Sequence, residues 1–329
     1  MFGYLRLLFD NFTLILLAVV AAATLLPAQG QGALFFDWLT VAAIALLFFM
    51  HGAKLSRQAI IAGATHWRLH LLVFGCTFVL FPLLGLAAKP LLLPLLGEQL
   101  YLGVLFLCVL PGTVQSAIAF TALAGGNVPA AVCSASASSI LGIIVTPLLV
   151  ALLMQVESDT AVSPLRSIGA ISMQLLLPFV LGHSLRPIIG PWVDRHKKQL
   201  SRLDQGSILL VVYTALSASV VEGLWSTVSS SRLLVLTLVC CLLLAVVLLL
   251  TAWLGRRFGF NRADQITIVF GGSKKSMATG VPMAQVLFAG PLLGPALLPL
   301  MIFHQIQLIV CTVMAQHYAR QGAMVKATG

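Results

Sequence analysis

From Gln99 to Met154 the chain runs for 56 residues without one Asp, Glu, Lys or Arg. A soluble fold cannot use such a run, because a globular domain keeps roughly a quarter of its residues charged. A helix crosses a bilayer with only ~17–25 apolar residues, so the run holds more than one crossing. The rest of the chain has the same character. Of 329 residues, 60% are hydrophobic and 9% charged, and the mean hydropathy is +1.04.

Hydropathy patterning predicts an all-α polytopic membrane protein with ten transmembrane helices. The first five are Phe12–Ala28, Leu34–Gly52, Leu69–Ala88, Leu100–Ala124 and Val128–Met154. The second five are Ile168–Leu185, Ser207–Val221, Leu233–Leu254, Ile266–Leu287 and Leu297–Met314. Arg6 before an apolar run is also how a secretory signal starts, but no convincing small-x-small cleavage site follows, and the run is counted as a span. Short connections make residues 1–329 a single unit with two five-helix halves, 1–154 and 155–329.

The net charge of +10 does not point to nucleic acid, since the basic residues fall in short clusters between apolar runs. Lys and Arg between spans mark the cytoplasmic side. With the N-terminus inside, 14 of the 19 Lys and Arg are cytoplasmic, from Arg6 and Arg57 to Arg320 and Lys326. Three (Lys89, Arg166, Arg232) lie opposite and two lie within a span. Both termini are therefore expected inside, in a plasma membrane (the inner membrane of a bacterium), with membrane lipid as a partner. The longest basic segment, Arg186 to Arg202, reads as the connection between spans six and seven. The six cysteines sit in apolar runs without metal-ligand spacing and read as small hydrophobes.

Two segments break the apolar pattern at matching places in the halves. Span four holds Pro111-Gly112-Thr113-Val114-Gln115-Ser116, and span nine Gly271-Gly272-Ser273-Lys274-Lys275-Ser276. Both contain Gly-[Thr/Ser]-x-x-Ser, 160 positions apart. Gly126-Asn127-Val128-Pro129 is loosely echoed by Thr279-Gly280-Val281-Pro282. Glycine and proline loosen a helix, and broken helices survive in a bilayer only when buried or lining a cavity. Paired interruptions near the midplane point to a transporter's binding site. Close helix packing is the plainer use of such residues.

Each lysine costs ~2.5–3.5 kcal/mol at the centre of an inserted helix, so Lys274 and Lys275 need compensation. Adjacent helical residues point ~100° apart, which puts one in a cavity and the other against protein. No acidic residue lies deep in a span to pair with them. Neutral polar groups come from Cys133 to Ser139 in span five and from His304 and Gln305 in span ten. Nucleotide P-loop, nucleophile elbow and paired metal ligands are all missing, so the chain is not read as an enzyme and no cofactor is expected.

Four further motifs stand in order along the chain. They are Phe48-Phe49-Met50-His51-Gly52-Ala53-Lys54-Leu55, Pro111-Gly112, Gly142 with Thr146-Pro147-Leu148-Leu149, and Phe303-His304-Gln305. Together they resemble the bile acid:sodium symporter superfamily, in its bacterial branch, over nearly the whole chain. The resemblance implies two inverted five-helix repeats, with spans four and nine broken and crossing where they unwind. It implies a panel of spans one, two, six and seven, and a core of the other six that carries the site. It implies secondary active symport, by alternating access, of a small organic anion such as a bile acid, carboxylate or sulfate conjugate.

The sodium ligands that the resemblance implies are degenerate here. The span-nine motif falls on Phe270, Gly272, Lys274 and Lys275, without its carboxylate and with a cation gained. The span-four Ser-Asn pair falls on Ser116 and Ala117, and the span-five pair on Ala135 and Ser139. The coupling ion is thus sodium or a proton, with Lys274 occupying the ion's place or titrating. The candidate substrate and ion site is Thr113, Gln115, Ser116, Ser139, Ser273, Lys274 and Ser276, supported by His304 and Gln305. Two rival readings stay open. One is a non-transporting membrane regulator of ion homeostasis, and the other a membrane enzyme with His304 as base, for which no nucleophile is legible. Oligomeric state is not legible in the sequence.

Overall fold

The computed structural model describes residues 11–54, 66–154, 164–221, 223–288 and 292–328, and every element among them is helical. Arg6, Leu55 and Arg57 lie outside the described residues. Six described helices are long and apolar enough to cross a membrane.

The first half opens with α1 (Asn11–Leu25), α2 (Gly30–Lys54) and α3 (Trp67–Ala87). Within α3 one turn, Cys76–Leu80, is wound as a π-helix. Then come a short α4 (Lys89–Leu96), α5 (Glu98–Val109), α6 (Gln115–Leu123) and α7 (Val128–Met154). The second half holds α8 (Pro164–Arg195), α9 (Lys197–Val221), a single turn α10 (Leu224–Thr227) and α11 (Ser230–Arg257). It closes with α12 (Arg262–Gly272), α13 (Met277–Leu287) and α14 (Leu293–Thr328).

Two interruptions stand where the glycines predict them, at Leu110–Val114 between α5 and α6 and at Ser273–Ser276 between α12 and α13. The basic segment Arg186 to Arg202 differs from expectation. It is helical on both sides of a turn at His196 rather than a loop. Charges end an apolar run, but they do not end a helix whose tip is free to meet water or headgroups. Arg186 ties this segment down by donating to the Ala53 carbonyl (2.6 Å) and to Asp194 (3.0 Å). The echo between Gly126–Pro129 and Thr279–Pro282 is not structural. Asn127 stands just before α7, where its amide donates to Asp264 at 2.8 Å, whereas Pro282 lies inside α13.

Side-chain caps place several helix starts. Asn261 accepts from the Asp264 N–H ahead of α12 (2.9 Å), and Ser276 from the Thr279 N–H ahead of α13 (3.2 Å). Helices α1, α2, α8 and α9 pack on one another. Gly52 and Gly182 let α2 and α8 touch backbone to backbone. A Cβ on Gly52 would fall 1.9 Å from the Phe179 carbonyl oxygen, and one on Gly182 1.9 Å from that of Phe49. The remaining long helices gather around the two interrupted pairs, with Phe81, Phe106 and Phe303 buried among them.

Candidate functional site

The interruptions cross. The Ser276 N–H donates to the Pro111 carbonyl at 2.9 Å, and a Cβ on Gly112 would lie 3.3 Å from the Gly271 carbonyl oxygen. Helix α7 clasps the crossing from behind. Ser138 Oγ accepts from the Gly112 N–H (3.1 Å), and Thr146 Oγ1 donates to the Val109 carbonyl (2.9 Å). Between them a Cβ on Gly142 would stand 2.6 Å from the Pro111 ring, so only glycine admits the proline there.

A cavity of about 180 Å³ lies between the crossing and the α1–α2–α9 side of the molecule. One wall carries Thr113 to Ser116, Ser139, Ser276 to Ala278 and His304, and the other carries His51, Ser201, Asp204 and Gln205. A second cavity of about 240 Å³ shares His51, Gln115, Ser139 and Asp204 with it and reaches Lys54 and Phe179. Of the sequence candidates, Thr113, Gln115, Ser116, Ser139, Ser276 and His304 line the first cavity. Ser273, Lys274 and Gln305 do not. Ser273 is buried, with its hydroxyl donating to the Val269 carbonyl at 2.6 Å.

The lysines depart from the helical argument. They lie in the unwound stretch after Gly272, so the 100° rule does not govern them, and both are 0% exposed. Neither lines a cavity described above, and neither pairs with a carboxylate among the described residues. Lys274 Nζ stands 3.8 Å from the centre of the Phe120 ring and 5.6 Å from that of Phe270, a cation–π arrangement. It reaches Ser116 Oγ at 3.4 Å, and that hydroxyl donates to Thr113 Oγ1 at 2.9 Å. Lys274 is thus one hydroxyl, that of Ser116, behind the cavity. Lys275 Nζ turns the other way and donates to three backbone carbonyls, of Thr77 (2.8 Å), Cys108 (2.8 Å) and Leu110 (2.7 Å).

Gln307, which the sequence reading missed, holds the unwound backbone. Its Oε1 accepts from the Lys275 N–H (3.0 Å), and its Nε2 donates to the Lys275 carbonyl (2.9 Å). The other Nε2 hydrogen goes to His304 Nδ1 at 2.9 Å, which makes Nδ1 an acceptor and puts the proton of a neutral ring on Nε2. His51 is set the opposite way, with Nδ1 donating to the Leu47 carbonyl at 2.7 Å. The cavity therefore meets one imidazole of each tautomer. Asp204, also missed, pairs with Lys54 across α9 and α2. Hydropathy leaves it between spans six and seven, because α9 starts ten residues before its apolar run. Ser138 was legible in principle. Ser134, Ser138, Gly142 and Thr146 recur every fourth residue along α7; the last three meet the crossing, and Ser134 meets His70 of α3 (2.6 Å).

Two helices begin at the cavity. Gln115 opens α6 and Met277 opens α13. The first N–H groups of a helix carry roughly half a unit of positive charge and bind anions. No Lys or Arg lines the first cavity, so these N-termini, with the hydroxyls of Thr113 and Ser139, are its attraction for negative charge. Ser139 Oγ has no hydrogen-bond partner among the described residues. The residues do not fit a sodium ion, a hard cation that wants oxygen ligands. Phe270 puts an aromatic ring where the implied carboxylate would stand, and Lys274 brings an ammonium against that ring.

The chain is similar to transport proteins along nearly its whole length. The model of the SBF-like CPA transporter family matches residues 10–320. The chain is 64% identical to "Uncharacterized protein PA2026" of Pseudomonas aeruginosa over 316 residues, 96% of this chain and 95% of that protein. It is 58% identical to "Putative symporter YfeH" of Escherichia coli over 321 residues, 97% of this chain and 95% of that one. It is also 29% identical to "Sodium/bile acid cotransporter 7" of Xenopus tropicalis over 316 residues, covering 94% and 91%. The family and the last two of these names are those of transporters rather than enzymes, and with the apolar helices they make this a multi-pass membrane protein. The chain belongs to the SBF-like CPA transporter family, within the bile acid:sodium symporter likeness that its motifs carry.

Proposed function

We propose that the protein is a secondary active transporter of a small organic anion, crossing the plasma membrane (the inner membrane of a bacterium) ten times. In this reading α5 with α6, and α12 with α13, are single interrupted spans, and residues 1–154 and 155–329 are inverted repeats. Helices α1, α2, α8 and α9 form the panel, and the rest form the core that moves against it. The 14-to-3 split of basic residues supports cytoplasmic termini.

The observation that carries the proposal is the meeting of the α6 and α13 N-termini at one cavity between the two helix groups. Oppositely running half-helices that end at the same place offer an anion partial positive charge from two directions. Substrate binding at the seam of two bodies is also what alternating access requires. Gln115, Thr113, Ser139 and Ser276 would bind the anionic group, and His304 would add an Nε2–H donor. The coupling ion is a proton taken by Lys274, which reaches the cavity through Ser116 and Thr113. Protonated, Lys274 adds a positive charge behind the site and favours the anion.

The test starts with thermal-shift screening of purified protein against small carboxylates and sulfate conjugates. A hit is then followed as flux into proteoliposomes under an imposed pH gradient or an imposed sodium gradient. Flux driven by the pH gradient and indifferent to sodium is expected. Binding without flux under either gradient would overturn the transport reading, and flux driven by sodium alone would overturn the coupling.

A further inference from the structure

We propose that Lys275 is a tethered cation that permanently fills a cation site built from backbone carbonyls, so that the helix crossing holds together without a bound metal ion.

The site is made by carbonyls that secondary structure has left without donors. At the end of α5 the carbonyls from Leu107 to Pro111 can be accounted for. The Leu107 carbonyl accepts from the Leu110 N–H (3.4 Å), Val109 from the Thr146 hydroxyl (2.9 Å) and Pro111 from the Ser276 N–H (2.9 Å). Those of Cys108 and Leu110 are left, and both accept from Lys275 Nζ. The third carbonyl comes from the π turn of α3. There the Phe81 N–H donates to Cys76 instead of Thr77, and the next residue, Pro82, has no N–H. The Thr77 carbonyl thus loses both helical donors and turns to Lys275 at 2.8 Å.

Three carbonyl oxygens at 2.7–2.8 Å use all three hydrogens of one ammonium, which has three donors and no acceptor. The Phe81 ring, 4.1 Å from Nζ, closes another side. The negative end of the α5 dipole is directed at the same point, where a cation is favoured. The main chain of Lys275 is fixed in turn by both polar atoms of the Gln307 amide. Lys274 has none of this; among the described residues it has one hydroxyl at 3.4 Å and aromatic faces. The neighbouring lysines therefore have separate work: Lys275 is a structural cation, and Lys274 is the one placed next to the cavity. The inference rests on the transport reading only for its consequence, that this crossing does not couple to a metal ion from solution.

The test reads folding, so it stands apart from any failure to find a substrate. Lys275→Ala removes the four atoms that n-propylammonium would replace, and Lys275→Met keeps the bulk without a charge. Wild type and both variants are extracted in n-propylammonium chloride or in tetramethylammonium chloride at equal ionic strength. The monodisperse fraction and the thermal midpoint are measured for each. The wild type is expected to be indifferent to the choice of salt. Lys275→Met should fall by at least about 5 °C in both salts, since three buried carbonyls lose their donor. Lys275→Ala should fall in tetramethylammonium and recover monodispersity and midpoint in n-propylammonium. A Lys275→Met variant as stable as wild type would overturn the proposal. So would Lys275→Ala that gains nothing from n-propylammonium, including the case where it is never monodisperse in either salt.

Discussion

Replacing Gln307 with leucine tests how far the unwound stretch depends on one side chain. Gln307 is fully buried, and its amide is the partner of both the N–H and the carbonyl of Lys275. Leucine fills similar volume and supplies neither group. Two buried backbone groups then go unsatisfied, at about 1–3 kcal/mol each, for a loss of roughly 2–6 kcal/mol. In a chain of this size that lowers the thermal midpoint by roughly 3–9 °C. The assay is unfolding of the purified protein in one detergent, with Thr312→Ala on the same helix as control. The Thr312 hydroxyl only bonds back to the Leu308 carbonyl (2.7 Å), so its loss should shift the midpoint little. Gln307→Leu also removes the donor that fixes the His304 tautomer, so substrate affinity should fall in whatever protein remains folded. A Gln307→Leu midpoint equal to that of the Thr312→Ala control would refute the reasoning, because it would mean that the unwound backbone finds other partners at no cost.

Three other outcomes are expected. Lys274→Gln should abolish pH-dependent uptake, whereas exchanging sodium for choline should leave wild-type uptake unchanged; uptake that rises steeply with sodium at constant pH would contradict this. Gly142→Val pushes side-chain atoms into the Pro111 ring, whose carbons stand 2.6 Å from the position of a Cβ, and should cost about 1–3 kcal/mol or more as overpacking, read as a lowered thermal midpoint. Reporter fusions after Ala28, Ala88 and Ser229 should report the outside and fusions after Gln199 and Phe258 the cytoplasm; reversal at any two sites is incompatible with ten spans.

Much of the fold could be read because apolar length and basic clusters carry it. Helix α7 covers Val128–Met154 as the apolar run alone suggests. The interruptions were legible because glycine and proline amid uncharged apolar residues have few other uses in a membrane. What escaped depends on long-range partners. Nothing near Lys275 in sequence says that the Thr77 carbonyl is free to receive it, although Pro82 was a local hint. The matched Gly-[Thr/Ser]-x-x-Ser motifs also misled in detail. Ser116 falls in the first turn of α6 whereas Ser276 caps α13, and Thr113 lines the cavity whereas Ser273 bonds back to its own helix. The two lysines lie in the unwound backbone and point apart, and the start of α13 is delayed by two residues relative to α6.

That delay bears on how the site can favour an anion without a basic residue in its wall. Breaking a helix creates a positive end and a negative end side by side, and in water-poor surroundings their fields nearly cancel at a distance. The crossing breaks the symmetry. The carbonyl end of α5 is neutralised by the Lys275 ammonium and by the Thr146 hydroxyl, and the last turn of α12 is tied by the Ser273 hydroxyl to Val269. The amide end of α6 has no side-chain cap, since Val114 stands at that position. Of the helix ends, those left directed at the cavity are therefore the positive ones, worth roughly half a charge each, while the Asp204 carboxylate in the opposite wall is paired with Lys54. On the proposed reading, then, the anion is attracted by helix ends whose opposite poles have been covered, and Lys274 adds or withholds one further charge from behind. A carboxylate in the sodium position would cancel this field, so Phe270 follows from the same logic as Lys275. Restoring acid there, as Phe270→Glu, should pair with Lys274 and weaken binding of any anion that the thermal-shift screen identifies. If Phe270→Glu instead binds that anion as tightly as wild type at every pH, the field of the helix ends and of Lys274 is not what selects it.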